Sequence, residues 1–301
     1  MKAITYTEFG GPEVLRLDEV EEPHAGPGQV RLKVVAAGVN PVDYKIRNGW
    51  MPPQMTPPFP VVPGLELAGV VDEVGEGVTG VAVGDEVLGF AAGGSYAEHA
   101  LSADFGLKPA DLDWDLAAAL PVAVETSVRV LDALGVGEGD TVLLHGAAGV
   151  VGAVAVQLAV ARGATVIGTA SPRNHDYLRS LGAIPVAYGD GLADRVREAA
   201  PQGVDAALDA AGQDLDVLVE LRGGTDRLIT IVNAAAAEQG ITFSGGGGGE
   251  PFGGRLTEYA RLAADGKLTV RVAQSLPLAD AAKAHEVSET GHAAGKLVLR
   301  P

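Results

Sequence analysis

TVLLHGAAGVVGAVAVQLAVARGATVIGT, residues 141–169, is the stretch that decides the fold of this 301-residue chain. Its first five residues, Thr141–His145, form an apolar run of strand length. Then comes Gly146-Ala147-Ala148-Gly149-Val150-Val151-Gly152, and from 149 to 162 Val, Ala and Leu recur at helical spacing. Thr165–Thr169 is a second apolar run. Aligned to the dinucleotide fingerprint G-x-G-x-x-G, Ala147 stands where the first glycine is expected, and Gly149 and Gly152 fill the other two positions. Gly149 lets backbone approach a pyrophosphate, Gly152 lets the helix pack close to the strand, and the free N–H groups of the first helical turn face the anion. A glycine turn that only packs helix on sheet shares this pattern. The flanking strands and helix are the context a bound dinucleotide requires.

The end of the second strand refines the cofactor. An NAD enzyme usually places Asp or Glu there to hold the adenine-ribose diol. This chain has Ser171-Pro172-Arg173-Asn174, with no carboxylate to repel a phosphate and a guanidinium able to bind one bidentately. The expected cofactor is therefore NADPH, although Ser171-Pro172 is also a helix-capping pair and Arg173 also reads as a solvated surface residue. Two later strand ends border the same region. Asp209-Ala210-Ala211-Gly212 follows residues 204–208, and Ile231-Val232-Asn233 follows 228–230. Asp209 and Asn233 suit a ribose hydroxyl and a helix cap equally. Ser244 ends the next apolar stretch, 241–244.

Outward from this core, the chain alternates strand and helix: a helix at 175–181, apolar runs at 204–208 and 227–231. That predicts βαβ units on a buried parallel sheet. Residues 1–115 differ: short strands (3–6, 29–37, 69–74, 86–88) separated by Pro/Gly turns read as all-β. The last 50 residues are mixed, with helices at 254–265 and 279–288 and strands at 270–274 and 296–299. The glycine run 245–249 reads as a tight loop.

Composition excludes much. The chain has no cysteine, so neither disulfides nor thiolate zinc sites are possible. Net charge is −17, which disfavours nucleic acid and anionic membranes. No apolar run approaches the roughly 20 residues of a membrane span. The first ten residues read as a strand rather than a signal peptide, so cytoplasmic residence is expected. His24, His99, His145, His175, His285 and His292 show no paired metal spacing, and no G-x-S-x-G elbow occurs. Metal hydrolysis and serine catalysis are thus unsupported.

Several stretches together resemble the medium-chain dehydrogenase/reductase superfamily in its zinc-free quinone-oxidoreductase branch. They are Ala37-Gly38-Val39-Asn40-Pro41-Val42-Asp43, Pro63-Gly64-Leu65-Glu66-Leu67-Ala68-Gly69, Val83-Gly84-Asp85-Glu86-Val87, the 146–152 turn and Gly295-Lys296-Leu297-Val298-Leu299. The resemblance spans the chain. It implies an α/β protein: a GroES-like β-rich catalytic domain (1–117, with 254–301 returning to it) and a doubly wound Rossmann domain (118–253). Zinc-dependent relatives place Cys and His where this chain has Asn40 and Leu65, which cannot hold zinc. Glu66 remains, and is expected to hold the β domain together.

The resemblance also implies roles. Asn40 is a candidate hydrogen-bond donor to a substrate carbonyl and Asp43 its orienter, against a plain Asn-Pro turn. Tyr44 and Lys45 follow directly, Thr126 matches a residue lining the nicotinamide site, and Lys296 matches a lysine approaching the cleft. Trp50, Met51 and Phe59, in a proline-rich segment, read as a wall over a flat substrate or as loop packing. The expected reaction is metal-free hydride transfer from NADPH to a quinone or an α,β-unsaturated carbonyl, with donors such as Asn40 stabilising charge on the substrate oxygen. The proton donor is open among Tyr44, Lys45 and water. Two other readings compete: a stand-alone enoyl reductase acting on polyketide or acyl thioesters, and a non-catalytic NADPH-binding sensor. Residues 227–231 and 241–244 are expected at a sheet edge that pairs across a two-fold, giving a homodimer.

Overall fold

In chain order the elements of the computed structural model are β1 (Lys2–Thr5), β2 (Arg16–Glu19), β3 (Val30–Val39), α1 (Pro41–Arg47), β4 (Glu66–Val74), β5 (Glu86–Ala92), β6 (His99–Leu107), α2 (Trp114–Ala119), α3 (Pro121–Ala133), β7 (Thr141–His145), α4 (Val150–Ala161), β8 (Thr165–Thr169), α5 (His175–Ser180), β9 (Ile184–Val186), α6 (Leu192–Ala199), β10 (Ala206–Asp209), α7 (Leu215–Arg222), β11 (Leu228–Thr230), β12 (Thr242–Phe243), α8 (Gly253–Ala264), β13 (Val272–Pro277), α9 (Ala281–Glu289) and β14 (Lys296–Arg300). Residues 1–246 and 250–301 are described. The expected glycine loop lies partly outside them, at 247–249. Two units separate, Met1–Val122 with Pro251–Pro301, and Ala123–Glu250. Among the described residues no helix is long and apolar enough to cross a membrane.

The first unit is built on β3. Its sheet runs β13-β14-β3-β4-β5-β6, and β6 returns to pair with β3, closing a small barrel. Val30 to Lys33 pair with β6, Val30 to Gly38 with β4, and Ala37 to Val39 with β14. Alternation along β3 sends Val30, Leu32 and Val34 inward against Val71, Val87, Tyr96, Leu297 and Leu299, while Lys33 points to solvent. This agrees with the expected GroES-like part.

The all-β reading of residues 1–115 is corrected at α1. The chain turns into a helix at Asn40 because Pro41 sits at its first position and the Asp43 carboxylate accepts the Asn40 backbone N–H at 2.8 Å. Helices α2 and α3 lay outside the elements expected from sequence. Asp113 starts α2, its Oδ1 accepting from the backbone of Asp115 and Leu116.

The second unit is an all-parallel sheet in the order β9-β8-β7-β10-β11-β12, with the first strand in the middle and the direction of winding reversing beside it. This is the doubly wound order, and its ligand crevice lies at the carboxyl ends of β7 and β10. Every residue of β7 is buried. Val142 and Leu144 enter one core with Val156 of α4, and Leu143 enters the other with Ile167 and Leu218, so both faces are covered. The expected edge needs correction: β11 lies inside the sheet between β10 and β12, and of these two strands the short β12 is the one at an edge.

Candidate active site

The phosphate-type turn joins β7 to α4. Gly146 adopts φ +82°, a conformation that favours glycine. Its N–H donates to Thr169 Oγ1 at 3.0 Å, and that hydroxyl lies 2.9 Å from Nδ1 of buried His145. The hydroxyl thus bridges the N–H of the turn and the imidazole ring. Burial lowers the His145 pKa and keeps the ring neutral. His145 and Thr169 thus pin the turn across two strands, a role with no signal in local sequence.

Gly149 is the N-cap of α4 and carries no side-chain cap, so the first N–H groups of the helix are left for a ligand. A Cβ on Gly149 would meet only the Gly146 carbonyl, at 3.4 Å. A Cβ on Gly152 would lie 2.4 Å from that carbonyl and 2.8 Å from Ala147 Cα, so Gly152 is what allows α4 to close on the turn. Ala148, Val150 and Val151 are partly exposed along the same rim.

Beyond β8, Pro172–Asn174 is a single 3-10 turn. Ser171 makes no capping bond to it but accepts from Asn174 Nδ2 at 3.3 Å. Arg173 is exposed and has no ion-pair partner among the described residues, although the chain carries an excess of carboxylates. A bare helix N-terminus beside a hydroxyl, an amide and a free guanidinium is a donor set that fits NADPH, pyrophosphate on the first group and ribose phosphate on the others.

The remaining strand ends separate. Asp209 is fully buried. Oδ1 accepts from the backbone of Ala211 and Gly212 at 2.9 and 2.8 Å, and Oδ2 from Thr230 at 2.7 Å, which favours a capping role over a ribose contact. Ala210 donates its N–H to His145 and Ile231 to Asp209. Val232 and Asn233 share the Thr230 hydroxyl, each at 3.3 Å. Ser244 donates its N–H to the Thr230 carbonyl and receives Arg129 at its hydroxyl, while the Thr126 hydroxyl lies 3.3 Å from Glu125.

In the first unit, sheet register gathers a polar cluster. Gly38 pairs with Glu66 across β3–β4, and Val39 with Leu297 across β3–β14, which sets Lys296 beside Asn40. Asn40 Nδ2 donates to Glu66 Oε1 at 2.7 Å and Lys296 Nζ donates to Asn40 Oδ1 at 2.7 Å, with Lys296 also bonded to Glu66. The second Glu66 oxygen accepts from Val122 N at 2.7 Å. Behind Asn40, Oδ2 of Asp43 also accepts from Tyr96 at 2.8 Å, while its Oδ1 is buried without a partner. Burial pushes the Asp43 carboxyl up to about 7 and raises the Tyr96 phenol too.

Tyr44 and Lys45 are half-buried on α1. Burial raises the Tyr44 pKa and lowers that of Lys45. Tyr44 meets the 68%-exposed Trp50 edge-on at 6.2 Å, and Phe59 packs edge-on against Tyr6 and Phe9, with Met51 half-buried between these groups in sequence. An exposed aromatic surface therefore lies on the segments following α1. Sequence reading missed the fully buried Arg47, which donates to Gly10 O and His285 Nδ1 and pairs with Glu289. Burial, helped by the Arg47 charge, lowers the His285 pKa to about 3.

Zinc does not fit this cluster. Asn40 and Leu65 supply no ligand, and Glu66 already holds an ammonium group. Among the described residues no group of three His, Asp or Glu is placed to hold a metal.

Residues 26–108 match the alcohol dehydrogenase GroES-like domain and 181–299 the family model described as zinc-binding dehydrogenase. A 2-methylene-furan-3-one reductase of Solanum lycopersicum is 34% identical over 100% of this chain and 79% of its own length. A quinone oxidoreductase of Lama guanicoe is 33% identical over 99% of this chain and 97% of its own. The Escherichia coli quinone oxidoreductase solved in complex with NADPH superposes with a TM-score of 0.85 at 28% identity, all of both chains being covered. With GroES-like barrel strands, a doubly wound parallel sheet and Asn40 and Leu65 in place of zinc ligands in one chain, these matches establish that the protein belongs to the medium-chain dehydrogenase/reductase superfamily, in its zinc-free quinone-oxidoreductase-like branch.

Proposed function

We propose that this protein is an NADPH-dependent, zinc-independent oxidoreductase that reduces a quinone or an α,β-unsaturated carbonyl. The observation that carries this reading is the uncapped N-terminus of α4 at Gly149 together with the unpaired Arg173 at the end of the neighbouring strand. The names of the relatives, a furanone reductase and quinone oxidoreductases, support the substrate class.

NADPH, when bound, supplies the hydride. In this reading Gly146, Ala148 and the 149–152 amides hold the pyrophosphate, and Ser171, Arg173 and Asn174 hold the ribose phosphate. Thr126, Ala210, Ile231, Val232, Asn233 and Ser244 border the rest of the cofactor. Asn40 donates its free amide N–H to the substrate oxygen as negative charge builds there, and losing such a donor typically costs about 10²–10³ in rate. A proton then goes to that oxygen or to the α-carbon. Lys45, whose pKa burial lowers, is the better acid on α1. Tyr44 moves the other way. Trp50, Met51 and Phe59 line the approach for a flat substrate.

The test is to mix protein and NADPH with 1,4-benzoquinone, a small enone and an enoyl thioester, and to follow the nicotinamide absorbance. Oxidation with the first two supports the proposal. Turnover of the thioester alone transfers it to an enoyl reductase, and binding without oxidation to a sensor. Homodimerisation through β12 and cytoplasmic residence belong to the same proposal. A monomer by light scattering at micromolar concentration refutes the first, and cell fractionation checks the second.

A further inference from the structure

We propose that Lys296 and Glu66 are positioning residues that lock the Asn40 carboxamide in one orientation. The inference rests on the reading of Asn40 as the donor to substrate. Lys296 can only donate, and it faces Oδ1 at 2.7 Å. An ionised Glu66 can only accept, and it faces Nδ2 at 2.7 Å. Turning the amide over would set donor against donor and acceptor against acceptor at both contacts. The two partners are themselves bonded, and both are buried, at 2% and 0% exposure.

Each anchor is fixed from behind. The second Glu66 oxygen takes the Val122 N–H, and Gly38 leaves room for the first, since a Cβ there would lie 2.4 Å from Oε1. Lys296 is carried by β14, whose backbone is tied to β3 at Val39 and to the Arg271 carbonyl. From the other side Asp43 holds the Asn40 backbone N–H. One Nδ2 proton is used on Glu66. The other has no acceptor among the described residues, and Asn40 as a residue keeps 7% exposure. The lock therefore aims a single amide proton in a fixed direction. A donor aimed before the reaction stabilises developing charge without reorganising when it forms, and a misplacement of about 1 Å in such a site can cost on the order of 10²-fold in rate.

The experiment is a coupling cycle with NADPH and 1,4-benzoquinone on Asn40→Ala, Lys296→Met and the double variant. Lys296→Met is expected to lower kcat and kcat/KM together by about 10- to 100-fold. The dissociation constant for NADPH, read by fluorescence titration, stays unchanged. In the Asn40→Ala background the same substitution costs nothing further, because there is no amide left to aim. Lys296→Arg, which keeps a donor-only cation, recovers part of the rate. If removing the ammonium leaves Glu66 unpaired and the chain unfolded, the neutral pair Glu66→Gln/Lys296→Met is read instead, with the same loss expected. Equal losses in both backgrounds, or none in the wild-type background, overturn the positioning role. Asn40→Ala with wild-type kcat/KM overturns the donor reading itself.

Discussion

Nζ of Lys296 lies 2.7 Å from Oδ1 of Asn40, a contact that spans 256 residues of chain. It exists because β14 lies antiparallel on β3 with Leu297 opposite Val39, so a one-residue slip would turn Lys296 to the other face of the sheet. The same strand carries Gly38, cross-strand partner of Glu66.

Gly38→Ala is expected to disturb this register. Its Cβ would meet Glu66 Oε1 at 2.4 Å and the Ala118 carbonyl at 2.6 Å, and the second is backbone that cannot swing away. Overpacking of this kind costs about 1–3 kcal/mol. Thermal melts should show a lowered Tm, and kcat should fall with it as Glu66 shifts. Gly137→Ala, with nothing within 4 Å of the added carbon, is the control and should melt like the wild type.

The two glycines of the phosphate turn should part company. Gly149 has φ −70° and ψ 169°, open to any residue, and its added Cβ makes only an ordinary contact. Gly149→Ala is thus expected to keep its Tm while binding NADPH about tenfold more weakly, roughly 1.4 kcal/mol, because the carbon occupies the approach to the pyrophosphate. Gly152→Ala forces α4 off Ala147 and should lower both stability and affinity. Calorimetric titration beside a melt separates the two, and equal behaviour of the variants would count against the turn as a ligand site.

Arg173→Glu places a carboxylate where the ribose phosphate of NADPH is proposed to bind. The side chain is exposed and makes no ion pair among the described residues, so stability should stay within about 0.5 kcal/mol. kcat/KM with NADPH should drop by about tenfold or more while that with NADH holds or rises. Steady-state kinetics with each coenzyme reads this directly, and an unchanged ratio removes Arg173 from recognition.

Asp43 should leave a mark on the pH dependence of stability. Its carboxyl lies at about 7 in the fold, against 3.8 for a free aspartate side chain. The native state therefore binds the extra proton between about pH 4 and 7, so this group's contribution falls as pH rises through that window and is fully unfavourable above it. Asp43→Asn keeps an acceptor for Asn40 and Tyr96 and removes the titration. The Tm of the variant minus that of the wild type should grow from pH 4 to pH 7 and then level off. Taking the difference cancels His285, whose lowered value acts in the opposite sense, costing stability as pH falls below about 6.5.

What was legible in the sequence was local. β7 and β8 fall on Thr141–His145 and Thr165–Thr169, where the apolar runs stand, and α4 falls within its helical repeat, because a parallel sheet buried on both faces leaves an unbroken apolar signature. The turn between them announces itself through glycines that backbone geometry demands. Helix α1 is hidden in a segment that reads as all-β, since Asn-Pro starts a turn as readily as a helix, and the deciding bond from Asp43 is three residues away. The edge was misplaced because β11 and β12 are both short, and strand order is a long-range property.

The sequence by itself determined where β7, α4, β8 and the phosphate turn between them fall, that thiolate metal chemistry is closed to this chain, and that no carboxylate guards the end of β8. These follow from periodicity, residue type and backbone geometry, which act over a few residues. Only the tertiary structure decided that Asn40, Glu66 and Lys296 form one buried set, that Asp209 is enclosed by backbone amides, and that Arg47 reaches His285 across 238 residues. Those outcomes depend on sheet register and burial, which are set when distant strands pair and water is excluded from between them.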